Sequence, residues 1–151
     1  MHASLFLLMS VILFFAGVLL ADPPAKPAKV EIIQKWSGTI QEAPFHTAVV
    51  VDAEAFAEVW NRLGVPGKTP DLDFTRHIVL AAAIRTSGLY IWPSLDASGD
   101  LKTGIVATPD QPAFISYALA VIPRPGIKTV DGNPLESRIL ILPKGGKKIK
   151  H

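Results

Sequence analysis

Apolar and polar positions change their period along this chain, and each change marks a different kind of element. The first stretch has no period at all. Leu5 to Ala21 carries no charge, and Ser10 is its one polar residue. Helices of soluble domains keep one wet face, so a run that is apolar all round is expected to be an export signal or an N-terminal anchor. Ala21 suits the position before a cut, and Pro23-Pro24 ends any helix there. Leu19 is larger than the small residue usual two positions earlier, and Met1 to Ser4 has no Lys or Arg. An uncut anchor is therefore the alternative to a cleaved signal. Residues 22–29 (DPPAKPAK) form a Pro-rich linker.

From Val30 the period becomes two. Val30, Ile32, Trp36 and Ile40 share one parity, and Glu31, Lys35, Ser37 and Thr39 the other. This predicts a half-buried strand over 30–40, with a bulge near Gly38. His46 to Val51 predicts a second strand. The period then becomes 3.6. Asp52 is placed to cap, and Phe56, Val59, Trp60 and Leu63 form one stripe of a helix over 53–63. Gly64 and Pro66 stop it. His77 to Ile84 (HIVLAAAI) is apolar throughout, which predicts a central strand buried on both faces, its alanines leaving room for the helix stripe. Leu89 to Leu95 is a strand that Pro93 confines to an edge or cuts short. A hairpin loop over Asp96–Asp100 returns it to Leu101–Thr108. In Ala113–Ile122, Ile115, Tyr117, Leu119 and Val121 line one face. Asp131-Gly132-Asn133-Pro134 is a turn before a last strand, Arg138–Leu142. The sum is about seven mostly antiparallel strands and one covering helix. The expected fold is α+β, a twisted sheet or open barrel in a single domain over 30–143, followed by a basic tail over 144–151.

Composition narrows the function classes. Fifteen basic against 13 acidic residues give a net charge of +2, too small to argue for nucleic acid. The absence of cysteine removes disulfides, thiolate metal sites and thiol nucleophiles. The 13 prolines and 11 glycines cut the body into short segments, which favours strands over long helices.

Candidate chemistry is sparse. His46, His77 and His151 lie far apart, with no pair at metal-binding spacing, so no metal or other cofactor is expected. Ser87, His77 and Asp73 could be drawn into a hydrolytic triad, but no nucleophile elbow surrounds Ser87. Gly145-Gly146-Lys147-Lys148 lacks the spacing of a phosphate loop. Two features suit binding. Tyr90 and Trp92 are same-parity aromatics on a strand that Pro93 marks as an edge. Their ordinary place is a small β core; exposed, they would dock a partner or border an added strand. The basic tail could touch an anionic surface.

The order of these pieces resembles a known family. A helix carrying Phe56 and Trp60, the Leu72-Asp73-Phe74 element, the apolar strand 77–84 and the turn Thr86-Ser87-Gly88-Leu89-Tyr90 are similar to the C-terminal domain of the protease complex subunit PrcB, over roughly residues 49–130. Ser87 stands where that family has its first turn glycine. The resemblance implies an exported, non-enzymatic accessory domain that binds or stabilises a protease, with no catalytic residues to carry over. Arg85, Gly88, Tyr90 and Trp92 are the expected partner contacts. The expected partner is another exported protein, with the membrane involved only through an uncut 1–21 segment. A small periplasmic or secreted hydrolase acting on envelope material, and a structural envelope protein, are the alternatives.

Overall fold

His77–Ile84 is the axis around which the rest is laid. The computed structural model describes residues 25–135 and 139–141. The apolar run 1–21, the start of the linker, the tail 144–151 and the ends of the last predicted strand, Arg138 and Leu142, lie outside the described residues. In chain order the strands are β1 (Ala28–Lys29), β2 (Gln34–Ile40), β3 (Thr47–Val50), β4 (His77–Ile84), β5 (Leu89–Ile91), β6 (Ser94–Leu95), β7 (Asp100–Lys102), β8 (Ile105–Ala107), β9 (Ile115–Pro123), β10 (Thr129–Val130), β11 (Asn133–Pro134) and β12 (Ile139–Ile141). The helix, α1 (Ala53–Arg62), lies between β3 and β4. The class is α+β with a single helix among the described residues.

Five strands form the main sheet in the order β12-β3-β4-β9-β2, all antiparallel neighbours. β4 sits at its centre, as a continuous apolar run requires. Its alternate residues enter two separate cores. Val79, Ala81 and Ala83 face α1 together with Ile115, Tyr117, Leu119 and Val121 of β9. Ile78 and Leu80 face the other way with Ala118, Ala120 and Ile122. On the first face Phe56, Val59 and Trp60 of α1 close the core, and Trp36, Phe56, Trp60 and Phe74 form a chain of tilted ring contacts at 5.1–6.1 Å. The small side chains of Ala81 and Ala83 make room for those rings. Asp52 caps α1 by accepting from the Ala55 N–H at 2.7 Å.

A second sheet, β1-β6-β7-β10-β11, covers the other face and contributes Leu101 and Val130 to its core. The β5–β8 pair stands apart as a two-stranded ribbon. Neither sheet closes into a barrel. Among the described residues the strands number twelve, against about seven expected: two predicted strands are each broken in two, and β1, β10 and β11 form in residues read as linker, loop and turn. The 89–95 strand breaks at Trp92-Pro93, where the proline removes a donor. The 101–108 strand breaks at Thr103-Gly104. Gly104 has φ +58, and a Cβ there would land on the Trp92 carbonyl, so only glycine lets the ribbon close at this point.

The departure at residues 28–40 is the most consequential: the strand predicted over 30–40 starts only at Gln34, and Ala28–Lys29 of the predicted linker pair as β1. Val30 and Ile32 belong to the second-sheet core, whereas Trp36 and Ile40 belong to the helix-side core. One parity in sequence therefore serves two faces, because the chain crosses from the second sheet to the main sheet between β1 and β2. The bulge expected at Gly38 is not present: residues 34–40 pair one to one with 115–121. Gly38 is needed instead because the Tyr117 ring lies against it, where a Cβ would be 2.6 Å from the phenol oxygen.

Candidate functional site

The crossing of residues 30–33 leaves a fork. β1 pairs antiparallel with β6, Ala28 opposite Leu95 and Lys29 opposite Ser94, and the Val30 N–H donates to the Pro93 carbonyl at 3.1 Å. The chain then turns away, and the Ile33 N–H donates to Val121 of the main sheet at 2.9 Å. Beyond this point β5 runs on without its neighbour. A groove of about 650 Å³ fills the gap. Its floor includes Ala118 and Ala120 of β9. One wall is the diverging segment with Lys29, Glu31 and Lys35, and the other is β5 with Tyr90 and Trp92.

Tyr90 and Trp92 are 63% and 62% exposed. Their ordinary role as core fillers is therefore not the one they have here. β5 is directional: Ile91 enters the core and Leu89 packs against it, while Tyr90 faces solvent beside its cross-strand neighbour Val106, which is also exposed. The Lys29 ammonium lies 4.5 Å from the Trp92 ring centroid, a cation–π contact across the mouth of the fork.

Arg85 and Gly88 do not line the groove; they lie in the turn at its root. Arg85 donates to the Pro112 carbonyl at 3.0 Å. The buried Thr86 hydroxyl is within hydrogen-bond reach of the Gly88 and Thr108 carbonyls and of Asp110 Oδ1. The Ser87 N–H and the Thr108 hydroxyl also donate to Asp110 Oδ1, at 3.0 and 2.6 Å. Hydrogen bonds from the Ser87 side chain, then from Thr108 and the Ser87 N–H, hold the Asp110 carboxyl far below the usual carboxylate range. This latch ties the β4–β5 turn to the β8–β9 loop and fixes the ribbon that carries the aromatics.

The residues of the hydrolytic alternative are not brought together. His77 and Ser87 lie beyond opposite ends of the β4 core, separated by roughly 25 Å of strand at 3.3 Å per residue. The His77 ring bonds the Asp73 main-chain oxygen at 3.1 Å, as expected of a histidine beginning a strand, while the Asp73 carboxylate accepts from Thr75. Asp100, the most buried acid among the described residues, accepts from Lys102, from the Thr129 hydroxyl and from the Gly132 N–H. Among the described residues no group of three or more His, Asp or Glu side chains could hold a metal ion, and no helix is long and apolar enough to cross a membrane.

Sequence reasoning reached Tyr90 and Trp92 but not Lys29, Lys35, Ala118 or Ala120. The available signal was Gln34, a polar residue at an apolar position of the alternation, which marks the end of the crossing. Comparison with protein-family models, curated proteins and solved structures finds no match for this chain.

Proposed function

We propose that this chain is an exported binding or assembly domain with no catalytic role of its own, and that its partner is another exported protein. The resemblance drawn from the helix aromatics, Leu72-Asp73-Phe74 and the turn into β5 makes a protease the first candidate. The observation that carries the reading is the pair Tyr90 and Trp92, both more than half exposed beside an apolar-floored groove. Large aromatics exposed next to a concave apolar surface are the residue types that dominate binding energy at interfaces. The latch at Asp110 supports it, since a rigid ribbon presents those rings without an ordering cost on binding.

The test uses the full chain, tagged and expressed with its leader, carrying a photo-reactive residue at Val106. The expected result is one cross-linked exported protein, identified by mass spectrometry, that is lost when Tyr90→Ala and Trp92→Ala are combined. No cross-linked partner, or the same set with and without the two aromatics, would reject the reading.

A further inference from the structure

The alternation of backbone groups along residues 88–96 shows what the groove is shaped to accept. The Trp92 N–H donates to the Gly104 carbonyl, the Gly88 carbonyl accepts from Thr108, and the Asp96 N–H donates to Asp100. Even-numbered residues therefore direct their N–H and C=O toward β7 and β8. Odd-numbered residues direct theirs to the opposite edge. On that edge Leu95 is taken by β1, and Pro93 by Val30. Leu89 and Ile91 are next in line, but β5 pairs with β8 alone. Their main-chain groups face the side of the groove, and no β8 residue lines it.

We propose that an extended peptide of a partner protein adds to β5 here as an antiparallel strand, continuing the line that β1 begins, and that the peptide alternates apolar and acidic residues. This rests on the binding reading above and names what occupies its groove. An open strand edge is a template for pairing, and main-chain bonds to it give affinity while pockets for alternate side chains give specificity. The short side chains of Ala118 and Ala120 leave depth for the peptide's apolar side chains. Lys29 and Lys35 face them across one carboxylate, Glu31, so the walls carry net positive charge and favour acidic neighbours. A second copy of this chain fits less well, because a β5–β5 pair would bring both copies' lysines to one seam.

The probe is a set of short capped peptides alternating glutamate with valine, leucine or phenylalanine, titrated into the isotope-labelled full chain. At ten times Kd, exchange of the Leu89 and Ile91 amides is expected to slow about tenfold. The Tyr90 amide, already directed at β8, is expected to change little. N-methylation of the peptide residues that face β5 abolishes the effect, whereas N-methylation of the alternate residues preserves it. Lysine in place of glutamate weakens binding by at least about tenfold, because like charges brought together at an interface repel. The proposal is overturned by binding without protection of those two amides, by no peptide binding, or by equal binding of the lysine peptides. It is equally overturned if the amides are protected by self-association of the chain, or if a soluble oligosaccharide and not a peptide perturbs Tyr90 and Trp92. Should the cross-linked partner depend on Tyr90 and Trp92 while Leu89 and Ile91 stay open in its complex, the docking reading stands and strand addition falls. Protection by the peptides with no partner captured rejects the docking reading, and with it a partner protein as the occupant, while leaving β5 an edge that pairs with an added strand.

Discussion

Two contacts between single residues show how little slack this fold has. Gly38 lies under the Tyr117 ring, and a methyl group there would sit 2.6 Å from the phenol oxygen and 2.8 Å from two ring carbons. Tyr117 is buried against the helix-side core and cannot withdraw freely. Gly38→Ala is therefore expected to destabilise by about 1–3 kcal/mol, measured as a lower urea midpoint at unchanged slope. Adding Tyr117→Leu should recover part of that loss, since the clash is with the ring itself. Asp110 carries a prediction of a different kind. Its folded-state carboxyl is depressed by the Ser87 and Thr108 bonds, while the unfolded group titrates near the ordinary value of about 3.9. The stabilisation it gives is thus fully present above that value and is lost as pH falls toward the folded one. Asp110→Asn should flatten the acid limb of the stability curve below about pH 4, with exchange at Ser87 and Gly88 rising at neutral pH because the latch is weakened.

At the scale of elements, the ribbon and the fork separate stability from binding. Tyr90 and Trp92 are exposed, so replacing both by alanine is expected to cost at most about 1 kcal/mol, chiefly the Lys29–Trp92 contact, while removing partner capture. A large fall in thermal midpoint would instead show that these rings support the core. Which elements could be read from the sequence follows from how local their causes are. α1 was legible because its cap, stripe and stop all lie within Asp52 to Gly64. β4 was legible to the residue because a strand buried on both faces has no polar position to confuse its ends. Residues 30–40 were not, because alternation records only that side chains go to opposite sides, not which sheet provides the cover. The crossing at 30–33 is fixed by partners at Pro93 and Val121, which are more than fifty residues away. The groove inherits the same opacity: Tyr90 and Trp92 could be paired by parity, but Lys29, Lys35 and Ala118 join them only through that crossing.

For the whole molecule, the N-terminal segment is where the proposed export step meets the fold. β1 begins at Ala28, and the described structure makes its first strand pairing there. A cut after Ala21 would leave the linker residues from Asp22 onward ahead of β1 and remove nothing that β6 uses. A cut before Val30 would remove both β1 pairings, the Lys29 contact with Trp92 and the part of one groove wall that Lys29 makes. The two truncations should therefore behave differently. The chain beginning at Asp22 is expected to keep its unfolding free energy and its partner. The chain beginning at Val30 should lose about 1–3 kcal/mol, the range of two net main-chain hydrogen bonds, and show faster amide exchange at the edge of β6. Because the lost strand guards the same edge that the groove leaves open, the shorter chain should also self-associate more readily, seen as a concentration-dependent sedimentation coefficient. Sequencing the N-terminus of the protein recovered from outside the cytoplasm gives the companion result: Asp22 if the leader is removed, Met1 if it is kept as a tether. An identical sedimentation and stability profile for all three forms would mean that β1 contributes nothing to closing the edge, and that the fork is not what limits the groove.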